Sequence, residues 1–159
     1  MGLTIWAPER LGPERLAGAY AWRSVLDAGA TLAGGSDFPV EDANPFHGIH
    51  AAVTRWPLEG GDPGWQPEQR LTRGEAVRAF TIWTARSIGR ETEIGSLEPG
   101  RWADLVVLSD DVFACDEARL PSITPVLRSC QRTNAPITLV SAPGGWCSSS
   151  RRGSDEASA

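Results

Sequence analysis

Apolar side chains recur at Leu16, Ala19, Tyr20 and Leu26, with Trp22 and Val25 at the edges of the stripe. That spacing predicts one helix, opened by Pro13 and closed by Gly29. The pattern then changes. Ala28-Gly-Ala-Thr-Leu-Ala-Gly34 is a short, small-to-apolar run, as in a strand covered on both faces, and predicts a buried parallel strand over residues 31–35. A loop follows over residues 37–44. Pro45 then starts a shorter helix, Phe46 to about Arg55, with Phe46, Ile49 and Val53 at i, i+3 and i+7. Glycine and proline through residues 56–70 predict a long loop, the kind that forms a lid or a substrate wall.

Thr72-Arg-Gly-Glu75 has the spacing of a capping box and begins another helix. Ala76, Phe80, Trp83 and Ser87 share one face of it, flanked by Val77 and Ile88, and Gly89 supplies a stop. Phe80 and Trp83 are read as core anchors. Glu98-Pro-Gly-Arg101 fits a type II turn, and Ala103-Asp-Leu-Val-Val-Leu108 a strand. Pro136-Ile-Thr-Leu-Val140 is long enough for one further short strand. From Ala142 onward serine, glycine and arginine dominate, with too little apolar area to offset ordering entropy, so a disordered end is expected.

The chain has 159 residues, enough for one core but short of the about 250 that a (β/α)8 barrel takes. A net charge of -5 argues against nucleic acid or an anionic membrane as partner. No apolar run approaches a membrane span. The three cysteines, Cys115, Cys130 and Cys147, lack C-x-x-C spacing and read as incidental thiols of a reducing compartment. Met1-Gly-Leu-Thr-Ile-Trp6 has neither the basic nor the apolar part of a signal peptide, so a cytoplasmic location is expected.

The candidate chemistry sits in Gly35-Ser-Asp-Phe-Pro-Val-Glu-Asp-Ala-Asn-Pro45. A carboxylate at the C-terminal tip of a parallel strand, between glycine and proline turns, stands where α/β barrels place their reacting groups. Asp37 is that carboxylate, although aspartate also caps turns after strands. Ser36, Glu75, Ser87 and Asp104 lack a partner base at a workable spacing, and Ser36 is outside any Gly-x-Ser-x-Gly elbow. His47 and His50 are the chain's two histidines, spaced i, i+3. A small metal site with Asp37 is conceivable, but surface or loop histidines are the better reading.

Glu9-Arg-Leu-Gly-Pro-Glu-Arg15, Gly35-Ser-Asp-Phe-Pro-Val40 and Asn44-Pro-Phe46 together resemble the amidohydrolase superfamily, within it the amidohydrolase 3 (YtcJ-like) hydrolases. Gly95-Ser-Leu-Glu-Pro-Gly-Arg-Trp-Ala-Asp-Leu-Val-Val-Leu108 adds to the likeness, resembling the hairpin that leads from the barrel to a small β-sandwich. The resemblance covers roughly residues 6–120 and fails from about Thr124.

It implies an α/β fold: the C-terminal piece of a TIM-type (β/α)8 barrel plus part of a small β-sandwich. Residues 1–93 would be the last barrel units, 94–123 the sandwich hairpin and 124–159 a divergent, largely disordered tail. The implied activity is metal-dependent hydrolysis of non-peptide carbon–nitrogen bonds in a small amide-type substrate, with a divalent metal, zinc first. In that family the metal is held by a His-x-His pair on the first strand, a lysine or carboxylate on the fourth, histidines on the fifth and sixth, and an aspartate on the eighth. Only the last has a counterpart, Asp37, which the resemblance makes metal ligand and proton carrier; His47 would touch substrate. The partner so implied is the N-terminal part of the barrel. The alternative is a catalytically silent fragment or a small interaction module.

Overall fold

The computed structural model describes residues 8–58, 64–130 and 140–141. A helical turn at residues 8–11 leads into α1 (Pro13–Leu16) and α2 (Trp22–Asp27). The single helix expected from Pro13 to Gly29 is therefore broken. Tyr20 adopts φ 51°, outside the helical well, and the carbonyls released by the break find other donors. Gln66 Nε2 donates to Leu16 O at 2.6 Å and Arg55 Nη1 to Tyr20 O at 3.1 Å. Both donors lie far along the chain, so no local spacing could reveal the break. Gly29 does close α2, donating to Leu26 O at 2.9 Å.

Residues 31–36 form no ladder, contrary to the buried parallel strand expected over 31–35. The physical reason is pairing: among the described residues no strand lies beside this segment. Its exposure nevertheless alternates. Leu32, Gly34 and Ser36 are half-buried, while Thr31, Ala33 and Gly35 are exposed, the period of an extended segment covered on one face. The cover is the next helical pair. Gly34 N donates to Ala79 O at 2.8 Å, and the Phe80 ring lies against Gly34.

Helix α3 (Pro45–Thr54) forms where its apolar spacing predicts, with Phe46, Ile49 and Val53 buried. Asn44 caps it, its side chain accepting from Phe46 N at 3.0 Å, and Arg55 ends it in the left-handed conformation. A 3₁₀ turn at Pro67–Gln69 interrupts the loop that follows. The capping box is present at the start of α4 (Arg73–Ala79): Glu75 N donates to Thr72 Oγ1 at 3.3 Å, and Thr72 N to Glu75 Oε2 at 2.7 Å.

The helix expected beyond Phe80 divides there, and α5 (Ile82–Ser87) is a separate piece. Thr81, at φ -130° and ψ -100°, resets the helical phase. Ala79 O, freed from the i+4 ladder, accepts from both Gly34 N and Thr84 Oγ1. The phase change corrects the expected stripe. Ala76, Ala79 and Ala85 are buried and Phe80 packs on the core, but Trp83 is outside that cluster and Ser87 is exposed.

Glu98–Arg101 is a turn with Arg101 N donating to Glu98 O at 3.2 Å and Gly100 at φ 89°, the sign a type II turn requires at its third residue. Strand β1 (Leu105–Leu108) does not pair back across this turn. Instead it pairs antiparallel with β2 (Pro125–Ser129), Leu105 opposite Ser129, and β2 pairs with β3 (Val140–Ser141). Most of the short strand expected over residues 136–140, and everything from Ala142, lies outside the described residues.

Between β1 and β2 a 3₁₀ stretch, Glu117–Ser122, packs on α3. It brings Leu120 and, just after it, Ile123 under Phe46, Ile49 and Val53, with Leu71, Ala76 and Val112 completing one core. Side chains from both sides of the expected boundary at residue 93 therefore share that core.

Candidate functional site

The cleft of interest forms from three pieces of chain whose backbones are fixed by the contacts above. Its volume is about 750 Å³. Residues 32–37 make one wall and His47, Gly48, Ala51 and Ala52 on α3 the facing one; Phe80 lies between them. Tyr20, Trp22, Trp56 and Leu58 make an aromatic end.

Asp37 stands at the tip of the 31–36 segment with φ 52°, a conformation that aspartate tolerates better than most residues. The turn after it closes through Val40 N to Asp37 O at 2.9 Å and Glu41 N to Ser36 O at 3.2 Å. The side chain is exposed, and its carboxylate accepts no hydrogen bond from the described residues. His47, in the first turn of α3, lines the same cleft, and its buried Nδ1 has no hydrogen-bond partner among the described residues.

His50 goes elsewhere. It is 3% exposed, packs edge-on to Trp56 with ring centroids 6.4 Å apart, and takes no part in the cleft lining. Burial holds its pKa below the usual histidine value, His47 adds to that effect and Glu117 opposes it. The helical spacing of the two histidines is real, but the α3 phase points one at the cleft and one at the core.

Arg55 was not singled out by its sequence context. Its guanidinium is 4.5 Å from the Trp22 ring centroid and 5.4 Å from that of Trp65, and Nε donates to Trp65 O at 3.0 Å. Burial lowers its pKa, with the Glu68 charge opposing. Its hydrogen bonds go to carbonyl and amide oxygens, so it staples the aromatic end together. The partners are 10 to 35 residues away, beyond any short-range signal.

Comparison with known proteins decides the family. The Amidohydrolase family profile matches residues 2–141. The chain belongs to the amidohydrolase family. The match runs past Thr124, where the motif likeness was expected to fail, and takes in β2 and β3.

Among similar proteins, the amidohydrolase YtcJ of Bacillus subtilis is 38% identical over 116 residues, 72% of this chain and 22% of its own length. The protein LONG AFTER FAR-RED 3 of Arabidopsis thaliana is 43% identical over 102 residues, 64% of this chain and 17% of its own. The N-substituted formamide deformylase of Arthrobacter pascens is 36% identical over 107 residues, 67% and 19% respectively. The chain thus spans about a fifth of the relatives it matches. No solved structure gives a significant match.

Amidohydrolases have a TIM-barrel type of fold and generally use divalent metals. Among the described residues no group of three or more histidine, cysteine, aspartate or glutamate side chains is placed to hold one. Asp37 with His47 and His50 does not make such a group, and the described donors do not by themselves fit a metal centre. No helix among the described residues is long and apolar enough to cross a membrane.

Proposed function

We propose that this chain is the C-terminal, carboxylate-bearing part of a hydrolase that cleaves non-peptide carbon–nitrogen bonds in small amide-type molecules. The observation that carries the reading is that Asp37, whose side chain makes no hydrogen bond with the described residues, and His47 line the same cleft. Family membership and the name of the formamide deformylase support the bond class.

In this reading an Asp37 carboxylate oxygen accepts the proton of the attacking water and returns it to the departing nitrogen. His47 hydrogen-bonds the substrate, and the Tyr20, Trp22 and Trp56 end excludes water from its apolar part. The reading includes dependence on a divalent metal, zinc first. Ligands beyond Asp37 would come from the N-terminal barrel part, which the chain's one-fifth span of its relatives leaves unrepresented. One observation favours the second reading, a catalytically silent fragment or small interaction module: the lack of a three-ligand group among the described residues.

The deciding experiment replaces the matching segment of the Arthrobacter pascens deformylase by this chain and measures hydrolysis of an N-substituted formamide. Turnover in the chimera, lost about 100-fold or more in Asp37→Asn, is the expected result. A folded chimera that loads its metal but does not turn over would favour the silent reading. Turnover unaffected by Asp37→Asn would remove Asp37 from the reaction.

A further inference from the structure

We propose that Phe80 is a positioning residue: its ring is the spacer that sets the distance between the segment carrying Asp37 and the helix carrying His47. The roles of those two residues rest on the function proposed above; the mechanical coupling through Phe80 does not. The ring lies close to the backbone of both segments. A Cβ built on Gly34 would lie 2.7 Å from Phe80 Cε2, and one on Gly48 would lie closer still to Phe80 Cζ. Neither separation is tolerated by real side chains, so an alanine at either glycine forces the ring or the backbone to move.

The two glycines bracket the candidate site. Gly34 is three residues before Asp37, and Gly48 directly follows His47. A third tie acts beside the ring, because Gly34 N donates to Ala79 O at 2.8 Å, next to Phe80 in the chain. The break between α4 and α5 is what frees that carbonyl. The ring also packs on the core cluster that holds α3, which limits its retreat on that side, while it borders the cleft on another. Close-packed interiors transmit such displacements instead of absorbing them. A displacement on the α3 side therefore reaches the Asp37 segment through Phe80. An ordinary apolar filler would only occupy volume and would not couple the two walls.

The test is an NMR double-mutant cycle on the full 159-residue chain, which needs no catalytic activity. The readouts are the Gly34 α-proton shifts, moved by the ring current of Phe80, and exchange of the Gly34 amide. Gly48→Ala should shift the Gly34 α-protons and speed exchange of that amide about tenfold. The same change in a Phe80→Leu background should leave Gly34 where Phe80→Leu alone puts it. If Gly48→Ala does not fold, Phe80→Leu by itself decides: the α-protons of Gly34 and Gly48 must both move. A Gly34 signal indifferent to Gly48→Ala, one that responds equally without the ring, or only one glycine responding to Phe80→Leu would overturn the proposal.

Discussion

Arg23 on α2 and Glu75 in the first turn of α4, 52 residues apart, meet through two parallel hydrogen bonds, Nη1 to Oε1 at 2.9 Å and Nη2 to Oε2. The same carboxylate closes the capping box, accepting from Thr72 N and Thr72 Oγ1 at 2.7 Å each. One side chain thus both starts a helix and ties it to another. The paired Arg23 charge and these hydrogen bonds hold the Glu75 carboxyl down at about 2. Glu75→Ala should lower unfolding free energy by about 1–2 kcal/mol in urea titrations, and Glu75→Gln by less, because the amide still reaches Thr72. Equal losses in the two variants would mean that the charge carries the whole effect.

Stability should fall in two stages on acidification. The folded pKa of His50 is below its unfolded value, so its neutral form is fully compatible with the fold above about pH 6.5 and the chain loses stability as pH falls below that. The Glu75 contribution, present above its unfolded pKa of about 4.5, is lost as pH falls toward about 2. Urea midpoints measured from pH 8 to 3 should show both limbs, and His50→Gln should flatten the upper one. An upper limb unchanged in that variant would assign it to another group.

Asn44 caps α3 and also donates from Nδ2 to Pro121 O at 3.4 Å, within the 3₁₀ stretch that completes the core. Asn44→Ala should cost about 1 kcal/mol and Asn44→Ser less, since serine restores the cap. Thermal unfolding compares them directly, and equal costs would place the weight on the Pro121 contact.

Asp37 is exposed and makes no side-chain hydrogen bond with the described residues, so Asp37→Asn should leave the unfolding midpoint of the chain unchanged within about 0.5 kcal/mol. In the deformylase chimera the same change should cost about 100-fold or more in kcat. Phe80→Leu there should lower kcat more than it raises KM, because it relaxes the spacing of reacting groups before it removes substrate contacts. Loss confined to KM would make Phe80 a substrate-contact residue.

Elemental analysis of the dialysed chain should find zinc well below one equivalent, since no group of three or more ligand-type side chains among the described residues is placed to hold it. Chelator-resistant stoichiometric zinc would instead point to a site that rearranges Asp37, His47 and His50 into a ligand set.

Much of the local structure was legible in the residues themselves. Thr72 and Glu75 announce a capping box, Pro45 a helix start, and Glu98-Pro-Gly-Arg101 a turn, because each is decided by atoms within four residues of one another. Asp37 could be singled out for the same reason: the glycine and proline that shape its turn are its neighbours. The stripe on α3 and its buried face also follow from spacing alone.

Tertiary structure decided the rest. Both long helical patterns are interrupted where a distant donor competes for a backbone carbonyl, Arg55 and Gln66 at the first break and Gly34 at the second. Helical periodicity cannot register such competition, since the stripe reads the same whether or not the ladder behind it is whole. Strand propensity at residues 31–35 was equally mute about the ladder, which needs a neighbour that no property of those five residues supplies. His47 lines the cleft while His50 is buried against Trp56, a difference that the i, i+3 spacing of the two histidines cannot reveal. Near neighbours set what a segment can form; the burial of groups far apart in sequence sets which of those forms survives.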